Sequence, residues 1–273
     1  MTNQKVVLVT GASSGIGEAT AERLAKAGYK VYGTSRRGTQ AGKQSFDMIA
    51  LDVTSDESVV AAVQEVMRLE GRIDLLVNNA GFSVAPGGAE ESSIGQAQSI
   101  FDTNFFGIVR MTRAVIPHMR SAGGGRIINI GSVVGFVPMP YGALYAATKH
   151  AIEGYSESLD HELRIWGIRV SVIEPAYIKT PFNAHFLEPD AKLDAYREVR
   201  AAVKMRVNEV METAEEAGTV AETVLKAASA AHPKLRYTPA GLASQLRLLR
   251  RFAPADLFDA AIRKDLRLDT PTT

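Results

Sequence analysis

Val6-Val7-Leu8-Val9-Thr10-Gly11-Ala12-Ser13-Ser14-Gly15-Ile16-Gly17 is an apolar run that breaks into a glycine-rich turn, and an alanine-rich segment follows it. Consecutive apolar residues suit a strand buried on both faces. Glycine lets the chain turn tightly and approach a charged ligand, and the free N–H groups at the start of a helix favour negative charge. A strand, this turn and a helix in that order make Gly11, Ser13, Ser14, Gly15, Ile16 and Gly17 a candidate pyrophosphate cradle. The spacing is G-x-x-x-G-x-G, not G-x-G-x-x-G. A ligand-free strand–helix turn also uses glycine, so the turn taken alone leaves both readings open.

Outward from the turn, short β-branched runs alternate with longer helical patterns. Candidate strands are Val6 to Thr10, Lys30 to Thr34, Met48 to Asp52, Asp74 to Asn78, Arg126 to Ile130, Arg169 to Ile173 and Leu235 to Thr238. Thr54 and Glu57 form a capping-box pattern ahead of Val59 to Leu69, and Gly28 and Gly167 stand where helix ends need a positive φ. This βαβ alternation predicts an α/β fold of the Rossmann type, doubly wound, with a seven-stranded, mostly parallel sheet and helices on both faces. The 273 residues are 46% apolar, enough for one domain over 1–273 with a substantial core. After Ile173 the order changes: Tyr177 to Met211 shows no strand pattern but carries Phe182, Phe186, Leu193 and Tyr196. The stretch 177–212 reads as a helical flap over the carboxyl edge of the sheet, where α/β folds bind ligands.

Composition narrows the partner. Lys and Arg number 31 against 30 Asp and Glu, so net charge argues for neither nucleic acid nor an anionic membrane as the main partner. Without cysteine there is no disulfide, thiolate metal site or cysteine nucleophile. None of His118, His150, His161, His185 and His232 falls in a metal-binding pattern. Met1 to Lys5 begins no long apolar segment, and no stretch reaches the ~20 apolar residues of a membrane span. The expectation is a cytoplasmic protein with a small-molecule partner and no metal. The second strand ends Gly33-Thr34-Ser35-Arg36-Arg37, with no acid for the ribose hydroxyls of NAD. A guanidinium there suits a 2′-phosphate, which favours NADP (NADPH), with Arg36 as the contact.

Further along come Asn78-Asn79-Ala80-Gly81, Asn104, Ser132 and Tyr145-Ala146-Ala147-Thr148-Lys149. With the glycine turn and in this order, over about residues 5 to 180, the sequence resembles the short-chain dehydrogenase/reductase family. From Ala143 to Pro175 it is similar to the branch that holds steroid and retinol dehydrogenases. The resemblance implies that Asp52 and Val53 border the adenine, that Asn79 lies beside the cofactor, and that Ile178 and Thr180 hold the nicotinamide carboxamide. It assigns Asn104, Ser132, Tyr145 and Lys149 as a catalytic tetrad, gives Lys149 a second role on the nicotinamide ribose, and implies an apolar carbonyl or alcohol substrate. Two departures stand out: alanine replaces the usual glycine in Glu174-Pro175-Ala176, and Ser14 offers no second basic residue for a 2′-phosphate.

The chemistry of the residues points the same way. Tyr145 and Lys149 are four apart on a helical pattern that continues through Ile152, Tyr155, Leu159 and Leu163, so they share a face. A positive charge about 4 Å from a phenol at an effective dielectric of about 20 is worth roughly three pKa units, enough to bring a value near ~10 within reach of neutral pH. Ser132, after an apolar strand, can donate to a substrate oxygen as charge develops on it. Asn104, between Ile94 and Met119, also suits backbone groups in a bent helix. The expected function is NADP(H)-linked oxidoreduction. The rival readings are an epimerase or dehydratase using the same Tyr–Lys pair, and a nucleotide-sensing or interaction protein without turnover. Finally, Leu242, Leu246, Leu249 and Phe252 form a helical stripe within the extension 241–273, and residues from Lys234 to the end carry eight basic and four acidic groups. The stripe is expected to pack on the body, near the pocket or a homo-oligomer interface, with a membrane-surface helix as the other reading. Pro254 opens a last short helix, and Thr270 to Thr273 is expected to fray.

Overall fold

The computed structural model describes residues 4–38, 45–182 and 186–268. Its centre is a seven-stranded, wholly parallel sheet. With strands numbered in chain order, it runs β3 (Asp47–Ala50), β2 (Lys30–Ser35), β1 (Val6–Val9), β4 (Leu75–Asn78), β5 (Gly125–Ile130), β6 (Ile168–Ile173) and β9 (Arg236–Tyr237). All seven expected strands are present. Strand order reverses between β1 and β4, and the crevice at that reversal is where such sheets take a ligand. Gly28 and Gly167 both have positive φ, at 91° and 69°.

Alternation along β1 assigns the two layers. Val6 and Leu8 pack under α2 (Asp56–Glu70), α4 (Gly107–Ser121) and α5 (Ala143–Leu163), through Val59, Val63, Met111, Val115 and Leu159. Val7 and Val9 face α1 (Gly15–Lys26) and α7 (Ala217–Ser229), meeting Leu24, Val220 and Val224. Each such fully buried aliphatic side chain is worth about 1.5–3 kcal/mol. Charged groups fix the edges of these layers. Asp160, with no exposed surface, accepts from Arg164, Arg169 and the N–H of Val170, tying the end of α5 to β6. Burial opposes its charge, but these donors outweigh burial and hold its carboxyl down to about 2.

Four expectations change in three dimensions. The cap of α2 is Ser55, whose side chain accepts from Ser58 N, because the Thr54 hydroxyl is taken up by Asp52 Oδ1 at 2.7 Å. The segment after β6 contains a strand: β7 (Ile178–Lys179) pairs in parallel with β8 (Glu215–Glu216), two residues too short to show a period. Among the described residues of the flap, the long helix occupies only the second half, a short turn at Asp194–Tyr196 leading into α6 (Arg197–Glu212). The tail stripe faces outward. In α8 (Ala240–Phe252), Ala243 is buried and Arg247 reaches into the body; of the stripe, Leu242, Leu249 and Phe252 are 44–70% exposed, as is Leu248 beside them, and Leu246 is half-buried. A helix held by its arginine and alanine side presents its leucines to the opposite side. The final helix is α9 (Ala255–Asp265), and Thr270 to Thr273 lie outside the described residues.

Candidate active site

The glycine turn is built by close approach. A Cβ on Gly17 would stand 2.2 Å from Gly11 O and 2.5 Å from Asn79 Nδ2, so no side chain fits. Gly11 and Gly15 have φ values of 66° and 59°, a region side chains rarely adopt. Behind the turn, Asn79 Nδ2 donates to Thr10 O and Gly11 O, both at 3.0 Å, and Thr10 Oγ1 accepts from the N–H groups of Asn79 and Ala80. Asn79 thus braces the turn from β4. Ser14 caps α1 in an extended conformation, and its side chain makes no cap bond. The first-turn N–H groups of α1 therefore face a small glycine-lined cradle that fits a pyrophosphate.

Arg36 is exposed at the end of β2 and has no hydrogen bond or ion pair among the described residues. Its charge reaches Asp52, whose carboxyl lies below its ordinary value because Thr54 donates to it through side chain and backbone, with smaller help from Arg36 and Arg110. Val53 is buried beneath Gly107. Arg36 follows β2, Asp52 and Val53 follow β3, and the two strands lie in the order β3, β2 on one side of β1, whose turn is tied to β2 by Ala12 N donating to Thr34 O.

Asn104 falls in a π-helical turn, Asp102–Phe106, between α3 (Ile94–Phe101) and α4. Its amide accepts from Phe82 N at 2.9 Å and donates to Phe82 O at 2.8 Å, with Thr148 Oγ1 at 3.3 Å. Such single-turn insertions concentrate at functional sites. Ser132 Oγ donates to Pro175 O and accepts from Val134 N, both at 3.3 Å, bonds long enough to be given up to a better partner. Lys149 Nζ donates to Ile130 O at 2.8 Å and lies 5.5 Å from the centre of the Tyr145 ring. The shared face therefore exists, but the carbonyl tether holds the ammonium over the ring. Burial pushes the Tyr145 phenol above its ordinary value, so the expected lowering by Lys149 is absent from this arrangement. Burial also brings Lys149 down to about 8, against an opposing pull from Glu153.

The other wall is aromatic. The Phe182 ring lies 6.1 Å from that of Tyr145, and Phe186 meets Phe182 edge-on at 5.4 Å. Ile178 joins the core from β7, and Thr180 Oγ1 accepts from Phe182 N. A cleft of about 380 Å³, lined by none of these residues, lies between Pro138, Tyr141, Tyr196, Ile262 and Leu268. Tyr141 has a φ of 62°, costly for a bulky residue and concentrated at such sites. Glu91 went unsuspected in the sequence: fully buried, it accepts from Gly88 N, Leu193 N and Arg200, and so pins the flap. Ala176 does not have a positive φ, so this backbone does not require the missing glycine.

Comparison with known proteins fixes the family. The model of the short chain dehydrogenases matches residues 5–191. The chain belongs to the short chain dehydrogenase family. Against a 3-ketodihydrosphingosine reductase of Bacteroides thetaiotaomicron, this short chain dehydrogenase is 44% identical over 181 residues, 66% of each chain. With human 17-beta-hydroxysteroid dehydrogenase type 1 it shares 36% identity over 85% of its own length and 76% of the relative's. A solved short-chain dehydrogenase from Streptomyces avermitilis superposes with a TM-score of 0.80 at 31% identity over the whole of both chains. The expected kinship with the steroid and retinol branch holds. Among the described residues no helix is long and apolar enough to cross a membrane.

The position of Lys149 sets a pH dependence. Its ammonium persists below about 8 and is lost above it. Rates of carbonyl reduction at saturating nucleotide should therefore fall as pH rises through about 8, with nucleotide affinity changing less. A rate that is flat or rises across that range would remove the Lys149 charge from the rate-determining step.

Proposed function

We propose that this dehydrogenase interconverts an apolar ketone and its alcohol with NADP(H), running as a reductase in the cytoplasm where NADPH is abundant. The observation that carries this reading is the aromatic wall, in which Phe182 meets the Tyr145 ring and Phe186 extends it away from the polar groups. A bound nicotinamide supplies or accepts the hydride. The chain's own residues handle the oxygen and its proton. Ser132 Oγ turns from Pro175 O to donate to the substrate oxygen as charge develops there. The Tyr145 hydroxyl gives its proton to that oxygen in reduction and takes it back in oxidation. Burial keeps the phenol protonated, which suits the reductive direction, and the Lys149 ammonium stabilises the phenolate that follows. Asn104 keeps the Phe82 backbone and the Thr148 hydroxyl in place beside the Tyr145 helix.

For the cofactor, Gly11, Ser13, Ser14, Gly15, Ile16 and Gly17 hold the pyrophosphate, Asp52 and Val53 border the adenine, and Ile178 and Thr180 receive the carboxamide. Arg36 grips the 2′-phosphate; its exposure and lack of a partner among the described residues support this. Arg36→Leu should weaken NADP binding by about 2 kcal/mol, the scale of a charge-assisted hydrogen bond, and leave NAD nearly unaffected. Titration of both nucleotides decides the point, and equal losses would refute the assignment.

The relatives named for a ketosphingoid base and a steroid support a large, mostly apolar substrate. Phe186→Ala should lower kcat/KM for a bulky apolar ketone by about 1.5–3 kcal/mol, the worth of one large buried side chain, and affect a small ketone much less. Uniform loss for both, with a lower Tm, would assign Phe186 to the fold instead.

The outward leucines of α8 support a peripheral membrane contact for delivery of such a substrate. That face is flanked by Arg250 and Arg251, and α8 carries no acidic residue, which suits anionic lipid. The full-length protein should co-sediment with vesicles containing phosphatidylserine and lose that association in Leu249→Ser/Phe252→Ser. Wild-type protein that stays in the supernatant would leave the face to another partner, such as a second copy of the chain.

A further inference from the structure

Two buried carboxyl groups behind the site have no role in the chemistry above. Glu174 follows β6, has no exposed surface, and its N–H donates to Tyr237 O at 2.8 Å. Glu153 lies on α5 one turn beyond Lys149 and is 8% exposed. Each is held through one oxygen. Arg236 of β9 donates from Nε to Glu153 Oε2 at 2.9 Å, and Arg247 of α8 donates to Glu174 Oε1. Arg236 also reaches the exposed Glu157 at 2.9 Å and stands 3.6 Å from Glu174 Oε1. The other two oxygens, Glu153 Oε1 and Glu174 Oε2, are buried with no partner among the described residues.

A buried carboxylate oxygen without a donor is unfavourable, and two neighbouring carboxylates repel. Arg236 Nε stands 2.9 Å from Glu153 Oε2 and 3.6 Å from Glu174 Oε1, so the two carboxyl groups lie side by side, and one proton placed between them removes both defects. The local charge agrees. Glu153, Glu157 and Glu174 face Arg236 and Arg247, and with Glu157 ionised by Arg236, a single proton on the buried pair leaves these five groups neutral. Lys149, on the same helix, is the remaining charge that feels Glu153.

The pair also lies against the reacting groups. A Cβ on Gly131 would be 3.2 Å from Glu153 Oε1, and one on Gly135 would be 3.0 Å from Glu153 Cγ, so the loop that carries Ser132 rests on Glu153. Glu174 leads into Pro175, whose carbonyl accepts from Ser132 Oγ and from Val133 N at 2.9 Å. We propose that Glu153 and Glu174 share one proton between their unpartnered oxygens, and that this acid pair positions the Ser132 loop against the Lys149 helix. The positioning half rests on the dehydrogenase reading above; the shared proton does not.

The pair titrates in an accessible range. Burial, with Glu153 beside it, pushes Glu174 up to about 7, and burial raises Glu153 as well; the charged groups facing them are Arg236 from β9, Arg247 from α8, and Glu157 and Lys149 from α5. An acid whose value in the fold lies above its unfolded ~4.3 stabilises the fold fully below the unfolded value. That contribution is lost as pH rises through about 7.

The test compares full-length wild type with E153Q, E174Q and E174A. Infrared difference spectra between about pH 6 and about pH 8.5 should show a protonated carboxyl in wild type at the lower pH, absent from E153Q and E174Q. Wild-type Tm should decline across that window, with the decline much reduced in E174Q. With a ketone substrate, E174A should lose about tenfold or more in kcat with little change in KM, and E174Q should recover most of it, since its amide N–H can replace the shared proton. A wild-type spectrum without the protonated carboxyl, or a band that survives both glutamine variants, overturns the shared proton. Loss of Tm in E174A with kcat intact overturns the positioning role. If instead no variant or wild type turns over any ketone, the dehydrogenase reading fails, while the infrared band and the Tm slope still report the pair.

Discussion

The contact between Gly17 and the Gly11 carbonyl is the constraint on which the site depends. At 2.2 Å from a notional Cβ, the space admits hydrogen and nothing larger. The start of α1 is thereby laid against the end of β1, and the amide of Asn79 closes the arrangement from β4 by holding two carbonyls of the turn. Because β1 and β4 are the strands between which the sheet order reverses, this local packing opens the crevice. A larger side chain at residue 17 would push helix and strand apart and take the cradle with it.

From that edge, buried polar groups carry the arrangement to Tyr145 and Lys149. Asn78 donates to Asn129 across β4 and β5, Asn129 donates to Ser156 on α5, and Ser156 donates back to Ile152 O. Lys149 is tethered to the last carbonyl of β5, while Thr148 links the Tyr145 backbone to Asn104. In a low-dielectric interior each of these bonds is costly to leave unmade, so the network selects one placement of α5 against the sheet. The position of Tyr145 follows from bonds made by its neighbours; its own hydroxyl makes no hydrogen bond among the described residues.

The aromatic wall beside Tyr145 is constructed differently. Among its described residues, the segment after β6 has little regular structure of its own before α6, and it is anchored by a two-residue parallel pairing and by the buried carboxylate of Glu91. Aromatic contacts fill the space between. Such a wall can change its lining residues without disturbing the sheet, as expected where one scaffold serves many substrates.

The sequence by itself determined the sheet, the phosphate turn and the family, because these rest on local rules: apolar runs for doubly buried strands, glycine where φ is positive, and motif residues at fixed separations. It also placed Tyr145 and Lys149 on one helical face, which a four-residue spacing guarantees. It did not determine where the ammonium would point. That is decided by Ile130 O, a carbonyl on a strand nineteen residues away. The outward turn of the α8 leucines was equally hidden, since a hydrophobic stripe has the same period whichever side is held; Arg247 decides by reaching Glu174. Thr54 was drawn from its capping role by Asp52, and nothing in the sequence marked Glu91, Glu153 and Glu174 as acids that folding would bury. Periodicity and spacing are properties of a segment, whereas desolvation and pairing belong to groups brought together from distant segments, and they are settled by the tertiary structure alone.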